Sequence, residues 1–132
     1  MSIDRNNPNG LSKPSGYSHI AVVSAGRQVH ISGQVALDAE GNVVGKGDLA
    51  KQTEQVFANL KTALAAAGAD FSKVFKMVTY VVNLTPDKLP AVRGVRGRIF
   101  GEGPYPASTL VGVTALVNPD LLIEIEVIAA LD

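Results

Sequence analysis

The longest alternation of apolar and polar positions lies at the end of the chain. In LLIEIEVIAAL, residues 121 to 131, an extended backbone puts Leu121, Ile123, Ile125, Val127, Ala129 and Leu131 on one face. The other face carries Leu122, Ile128 and Ala130, with Glu124 and Glu126 among them. A strand buried on one side only shows polar residues along its outer face, so aliphatic residues on both faces ask for a cover on both sides. VFKMVTYVVNL (74–84) poses the same question, being dense in β-branched residues and too apolar for an exposed strand.

Other segments are read the same way. HIAVVS (19–24) and QVHISGQVAL (28–37), separated by Ala25, Gly26 and Arg27, carry a hairpin signature. In the second, Gln28, His30, Ser32 and Gln34 alternate on one face against Val29, Ile31, Val35 and Leu37. DAEGN (38–42) is a turn. Asp48 is placed to cap a helix that ends near Gly68, and Leu49, Thr53, Val56, Leu60, Leu64 and Ala67 form its core-facing stripe. Thr85-Pro86 opens a second helix, with a stripe of Leu89, Val92, Arg96, Ile99 and Phe100 interrupted by Gly94 and Gly97. GEGPYP ends it. STLVGV (108–113) and 121–131 are the last strands, joined by a turn at Asn118-Pro119-Asp120. Residues 1–16, rich in Asn, Pro, Gly and Ser, read as an irregular entry to a single domain spanning 1–132.

The predicted order is β-β-α-β-α-β-β, with room for a short extra strand near residues 35–44. That is an α+β layout, a mixed sheet with two helices on one face. No element remains for the second face, so other copies of the chain are expected to cover it, making a homo-oligomer.

Composition narrows the function classes. At 46% hydrophobic and 18% charged, the chain is no disordered tail. Twelve basic residues balance twelve acidic ones, so no global field draws it to nucleic acid or membrane. No run of 18 apolar residues and no signal-peptide core are present, which makes the cytoplasm the default location. Cysteine is absent, which removes thiolate chemistry and disulfides.

The candidate chemistry is sparse. Glu124 and Glu126 are either solvated at the strand's edge or paired with a basic residue, or one of them sits at the rim of an intersubunit cleft, where desolvation lets it exchange a proton with a ligand. Spacing does not choose between them. Gly33, within Ser32-Gly33-Gln34, marks the close approach of a ligand or another backbone. His30 beside Ser32 lacks an orienting acid for nucleophilic catalysis, and His19 and His30 lack companion ligands for a metal. In RGVRGR (93–98), Arg93 and Arg96 share a helical face and Arg98 points elsewhere. Aromatics suited to stacking bases make up only 5% of the chain.

Taken together, Gly16-Tyr17-Ser18, Ser32-Gly33-Gln34, Tyr105-Pro106-Ala107 and Ile123-Glu124-Ile125-Glu126 resemble the Rid (YjgF/YER057c) superfamily, from about Tyr17 to the C-terminus. The resemblance implies a chorismate-mutase-like fold and a homotrimer with three intersubunit clefts. It also implies a RidA-like hydrolase that deaminates small imines or enamines without a cofactor or metal. By the same resemblance Glu124 is the catalytic-site glutamate, Glu126 is a structural neighbour, and Tyr17, Ser32 and Gly33 line the cleft. Archetypal members carry an arginine directly after Pro-Ala that grips the substrate carboxylate. Here Ser108 stands in its place, and Leu110 replaces a cysteine common in the archetype. An altered substrate preference is expected, with Arg93 either the replacement anchor from the second helix or an ordinary surface arginine. A non-catalytic trimer binding a small metabolite in the same clefts is the alternative, and RNA cleavage is a distant third.

Overall fold

The computed structural model describes residues 1–132. Its elements are β1 (Ser2–Asn6), β2 (Ile20–Ser24), β3 (Arg27–Val35), α1 (Leu49–Ala66), β4 (Val74–Val82), α2 (Leu89–Phe100), β5 (Ala107–Val113) and β6 (Ile123–Leu131). Strands β3-β6-β4-β5 form one sheet, in which β4 and β5 run parallel and the other neighbours antiparallel. The architecture is α+β, as the pattern predicted.

Two expectations for the N-terminal third are corrected. Residues 2–6, expected to be irregular, form β1 and pair antiparallel with β2 from Ser2↔Ser24 to Asn6↔Ile20. The segments 19–24 and 28–37 do not pair as a hairpin, because β2 belongs to the ribbon with β1 and β3 pairs with β6. SIDRN holds neither Gly nor Pro, and its alternating burial is that of a strand. Only the tertiary partner revealed it. Arg5 ties the ribbon to the start of β4 by donating to the carbonyls of Ser72 and Val74, both at 3.1 Å. Of the extra strand near 35–44, only a single Leu37↔Val43 bridge forms. Asp38 stabilises that turn by accepting from the backbone N–H groups of Glu40 and Asn42.

One face of the sheet packs on the helices. Val56, Phe57, Leu60 and Leu64 of α1 meet Ile123, Ile125 and Val127 of β6, Met77 and Val81 of β4, and Val92 and Val95 of α2 in a single core. Asp48 caps α1 by accepting from the Lys51 N–H at 3.0 Å, a contact worth about 1 kcal/mol. Gln52, fully buried in the first turn of α1, makes the link that sets the start of β6. Its amide donates to the carbonyls of Gly45 and Asp120 and accepts from the N–H of Leu122 at 2.8 Å. Every polar group of that side chain is engaged, which is what its burial requires.

Candidate functional site: a carboxylate and an arginine pair on opposite faces

Glu124 and Glu126 lie on β6, between β3 and β4. Across the ladder Tyr80 partners Glu124 and Val78 partners Glu126, on the face turned away from the helices. The two glutamates differ in what holds them. The Tyr80 hydroxyl donates to Oε1 of Glu126 at 2.5 Å. That bond, with some burial and the charges of Glu126 and Glu124, raises the Tyr80 phenol above its ordinary pKa. Glu124 has no such tether, and its carboxylate arm lies against Gly33.

The β3 strand explains this position. Ile31 partners Val127 but Gln34 partners Ile125, so three steps on β3 match two on β6, and Ser32 and Gly33 occupy a bulge. A Cβ on Gly33 would fall 2.8 Å from Cγ and 2.6 Å from Cδ of Glu124. The close approach that this glycine permits is therefore by a side chain of the neighbouring strand, where a ligand or a backbone was expected. The bulge also inverts the alternation after it. Gln34, read as sharing a face with Ser32, instead lines the groove between β3 and α1 with Asn59. Ser32 is exposed beside Gly33.

Tyr17, Arg93 and Ser108 come together elsewhere. They line a cleft of about 460 Å³ with Lys13, Leu89 and Arg96. Ser18 positions the Tyr17 segment: its N–H donates to the carbonyl of Pro106 at 3.0 Å and its buried hydroxyl to that of Tyr105 at 2.8 Å. The ring of Tyr17 stacks edge-on against His19, centroids 5.3 Å apart, and the His19 ring is bonded to the Ser12 carbonyl oxygen at 2.7 Å. Thus the loop carrying Lys13 and Ser15 is pinned over α2. Arg93 and Arg96 face this cleft while Arg98 turns to Glu54 of α1 at 2.9 Å, the division expected from helical spacing. Burial, and next the charge of Arg93, push the Arg96 guanidinium below its usual pKa range.

The two groups lie on opposite sides of the sheet. Ser108 partners Met77, whose side chain is in the core, whereas Glu124 partners Tyr80 on the other face. Arg96, Lys13 and Tyr80 were missed as site residues. An arginine inside an otherwise apolar helix stripe was the available signal for Arg96. Nothing in the sequence brings Lys13 to α2 or pairs Tyr80 with Glu126. No three His, Cys, Asp or Glu side chains cluster anywhere in the fold, so no residue set is assigned to a metal. No helix is long and apolar enough to cross a membrane.

Comparison with known proteins bears on this geometry. Residues 9–131 match the family model described as Endoribonuclease L-PSP. Protein DfrA of Myxococcus xanthus is 38% identical over 113 residues, 86% of this chain and 83% of that protein. A protein of Dermatophagoides farinae named 2-iminobutanoate/2-iminopropanoate deaminase is 31% identical over 110 residues, 83% of each chain. Among solved structures, YyfB of Yersinia pestis, described as a protein of unknown function of the conserved Rid family, superposes with a TM-score of 0.93 at 43% identity, covering 99% of this chain and 100% of that one. The match along nearly the whole chain, in sequence and in fold, places this protein in the Rid (YjgF/YER057c) superfamily, the family of the Endoribonuclease L-PSP model.

Proposed function

We propose that the chain assembles as a homotrimer and hydrolyses a small imine or enamine in the cleft between two copies. Glu124 of one copy handles the proton and positions water, with the Ser32–Gly33 bulge beside it. Tyr17, Arg93 and Ser108 of the neighbouring copy bind the ligand. The observation that carries this reading is the division just described. Glu124 and the arginine-lined cleft face opposite sides of one sheet, so a small ligand reaches both only where two copies meet. The half-apolar outer face, with Val78, Val82 and Ile128 around the glutamates, supports the same assembly.

The chemistry follows from the groups. Protonating the imine nitrogen makes its carbon electrophilic. Water adds there, the tetrahedral carbinolamine collapses, and ammonia leaves from a new carbonyl, so that imine plus water gives ketone plus ammonia. A carboxyl that exchanges protons beside a positioned water suffices for these steps. Glu124, untethered within its own protomer, is better suited to proton exchange than Glu126, whose oxygen is occupied by Tyr80. The deaminase name of the Dermatophagoides farinae relative supports this substrate class. Ser108 cannot act as a cationic fork, so Arg93 takes the ligand's carboxylate from α2.

Ammonia release from freshly generated imines, followed in mixed oligomers, tests the reading. Glu124→Gln should slow hydrolysis by roughly a hundredfold or more. Arg93→Ala should raise KM. Oligomers assembled from the two defective chains should regain part of the wild-type rate, because some interfaces unite an intact Glu124 with an intact Arg93. No recovery in confirmed mixed oligomers, or a monomer in ultracentrifugation at micromolar concentration, would overturn the shared cleft. Ligand binding without any hydrolysis would turn the protein into a metabolite-binding trimer.

A further inference from the structure

The α2 side of the molecule holds more positive charge than a single carboxylate needs. The cleft of about 460 Å³ adjoins a second cavity of about 250 Å³, and the two share Ser15, Arg93 and Arg96. Lys13 adds a third cation to the larger one. No acidic side chain lines either cavity. The ion pairs of the protomer lie elsewhere: the N-terminus with Asp132, Lys46 with Asp120 and Arg98 with Glu54.

Arg96 stands out within this group. It is half-buried in the apolar stripe of α2, one turn from the exposed Arg93, so a like charge stands close to a guanidinium with reduced access to water. Its guanidinium packs over Gly16, where a Cβ would lie 2.9 Å from Nη2, and the positive φ of +73° at that residue suits glycine. Thus the N-terminal loop is shaped around a charge that nothing in the protomer neutralises. A pair of guanidinium forks with no carboxylate between them matches a group, or two groups, presenting several anionic oxygens.

We propose that the ligand carries two negative charges, a carboxylate beside its reacting carbon held by Arg93 and a second anionic group remote from that carbon held by Arg96, across the junction of the two cavities. The proposal rests on the arginine-lined cleft being the ligand site, and it narrows the substrate class from simple 2-imino monocarboxylates to dianionic ones. A second carboxylate and a phosphate share this chemistry.

Titration calorimetry of the full-length protein at constant ionic strength decides it, with 2-oxoglutarate against its length-matched monoacid 2-oxopentanoate, and inorganic phosphate as a third probe. The dianion should bind about tenfold tighter or better than the monoacid, the scale of one charge-assisted contact. Arg96→Ala should bring the two within about twofold, leaving monoacid affinity nearly unchanged, and Arg96→Lys should retain an intermediate preference. Phosphate that displaces 2-oxoglutarate assigns the second charge to a phosphate-like group; failure to displace it, with the preference intact, assigns it to a carboxylate. Equal binding of the two oxo acids by the wild-type protein would overturn the proposal, as would a preference that survives Arg96→Ala in a protein shown to be folded by its melting curve. Glu124→Gln should slow hydrolysis by the same roughly hundredfold or more and leave the preference untouched. Hydrolysis without charge preference therefore removes only this inference, and preference without hydrolysis removes only the hydrolase reading.

Discussion

The carboxylate side and the arginine side of the molecule are built from different materials. Glu124 stands on β6, an inner strand with β3 and β4 on its flanks, and the bulge at Ser32–Gly33 leaves a gap shaped to its side chain. Its position is written into the backbone ladder. Arg93 and Arg96 reach their cleft from a short helix on long, rotatable arms, under a loop held by Ser18 and His19. The contrast teaches how such a site divides its tasks. Under the proposed function, the group that transfers protons tolerates little displacement and is held by paired strands. The charges proposed to recognise the ligand act over longer distances, and they reach a cleft shared with Ser108 from rotatable arms on α2.

The two glycines that accommodate these side chains give the sharpest way to break the comparison. Gly33→Ala pushes against Cγ and Cδ of Glu124, so the whole carboxylate arm must rotate away. Its expected effect on hydrolysis is the largest, roughly a hundredfold loss in kcat, with about 1–3 kcal/mol of stability lost to overpacking. Gly16→Ala meets only the guanidinium tip of Arg96 and should cost about 1 kcal/mol for its positive φ, with kcat within about twofold of wild type. Assays of kcat beside urea unfolding compare the pair, and equal losses at the two positions would erase the distinction between a fixed and an adaptable half.

Gln52→Leu comes next. It leaves the Leu122 N–H and the Asp120 carbonyl without their partner, while the Gly45 carbonyl keeps the Asp48 N–H, and should destabilise the protein by about 2–3 kcal/mol in urea unfolding. Because it loosens the start of β6, kcat should fall more than affinity for a keto acid. The smallest effect is expected from Tyr80→Phe, and it depends on pH. A phenol whose folded pKa is raised above the ordinary value of 10.0 stabilises the fold fully below that pH, and the contribution fades as pH climbs through the folded value. The wild-type protein should therefore lose stability more steeply above about pH 10 than Tyr80→Phe, as melting curves across that range would reveal.

The sequence by itself determined the α+β layout, both helices, the Asp48 cap of the first, the doubly apolar strands within 74–84 and 121–131, and the family through its short motifs. Those features are local: periodicity, capping and turn chemistry act over a few residues. It determined too that Arg93 and Arg96 share a face, because helical spacing alone fixes this. The tertiary structure decided the rest. A ribbon between β1 and β2 needs two segments more than a dozen residues apart to meet, and neither carries its partner's address. The bulge that turns Gln34 from one face to the other arises only when β3 is laid against β6. Which glutamate is tethered depends on Tyr80, 46 residues away along the chain. Each of these is a register between distant strands, and register is fixed by packing, which no short stretch of sequence contains.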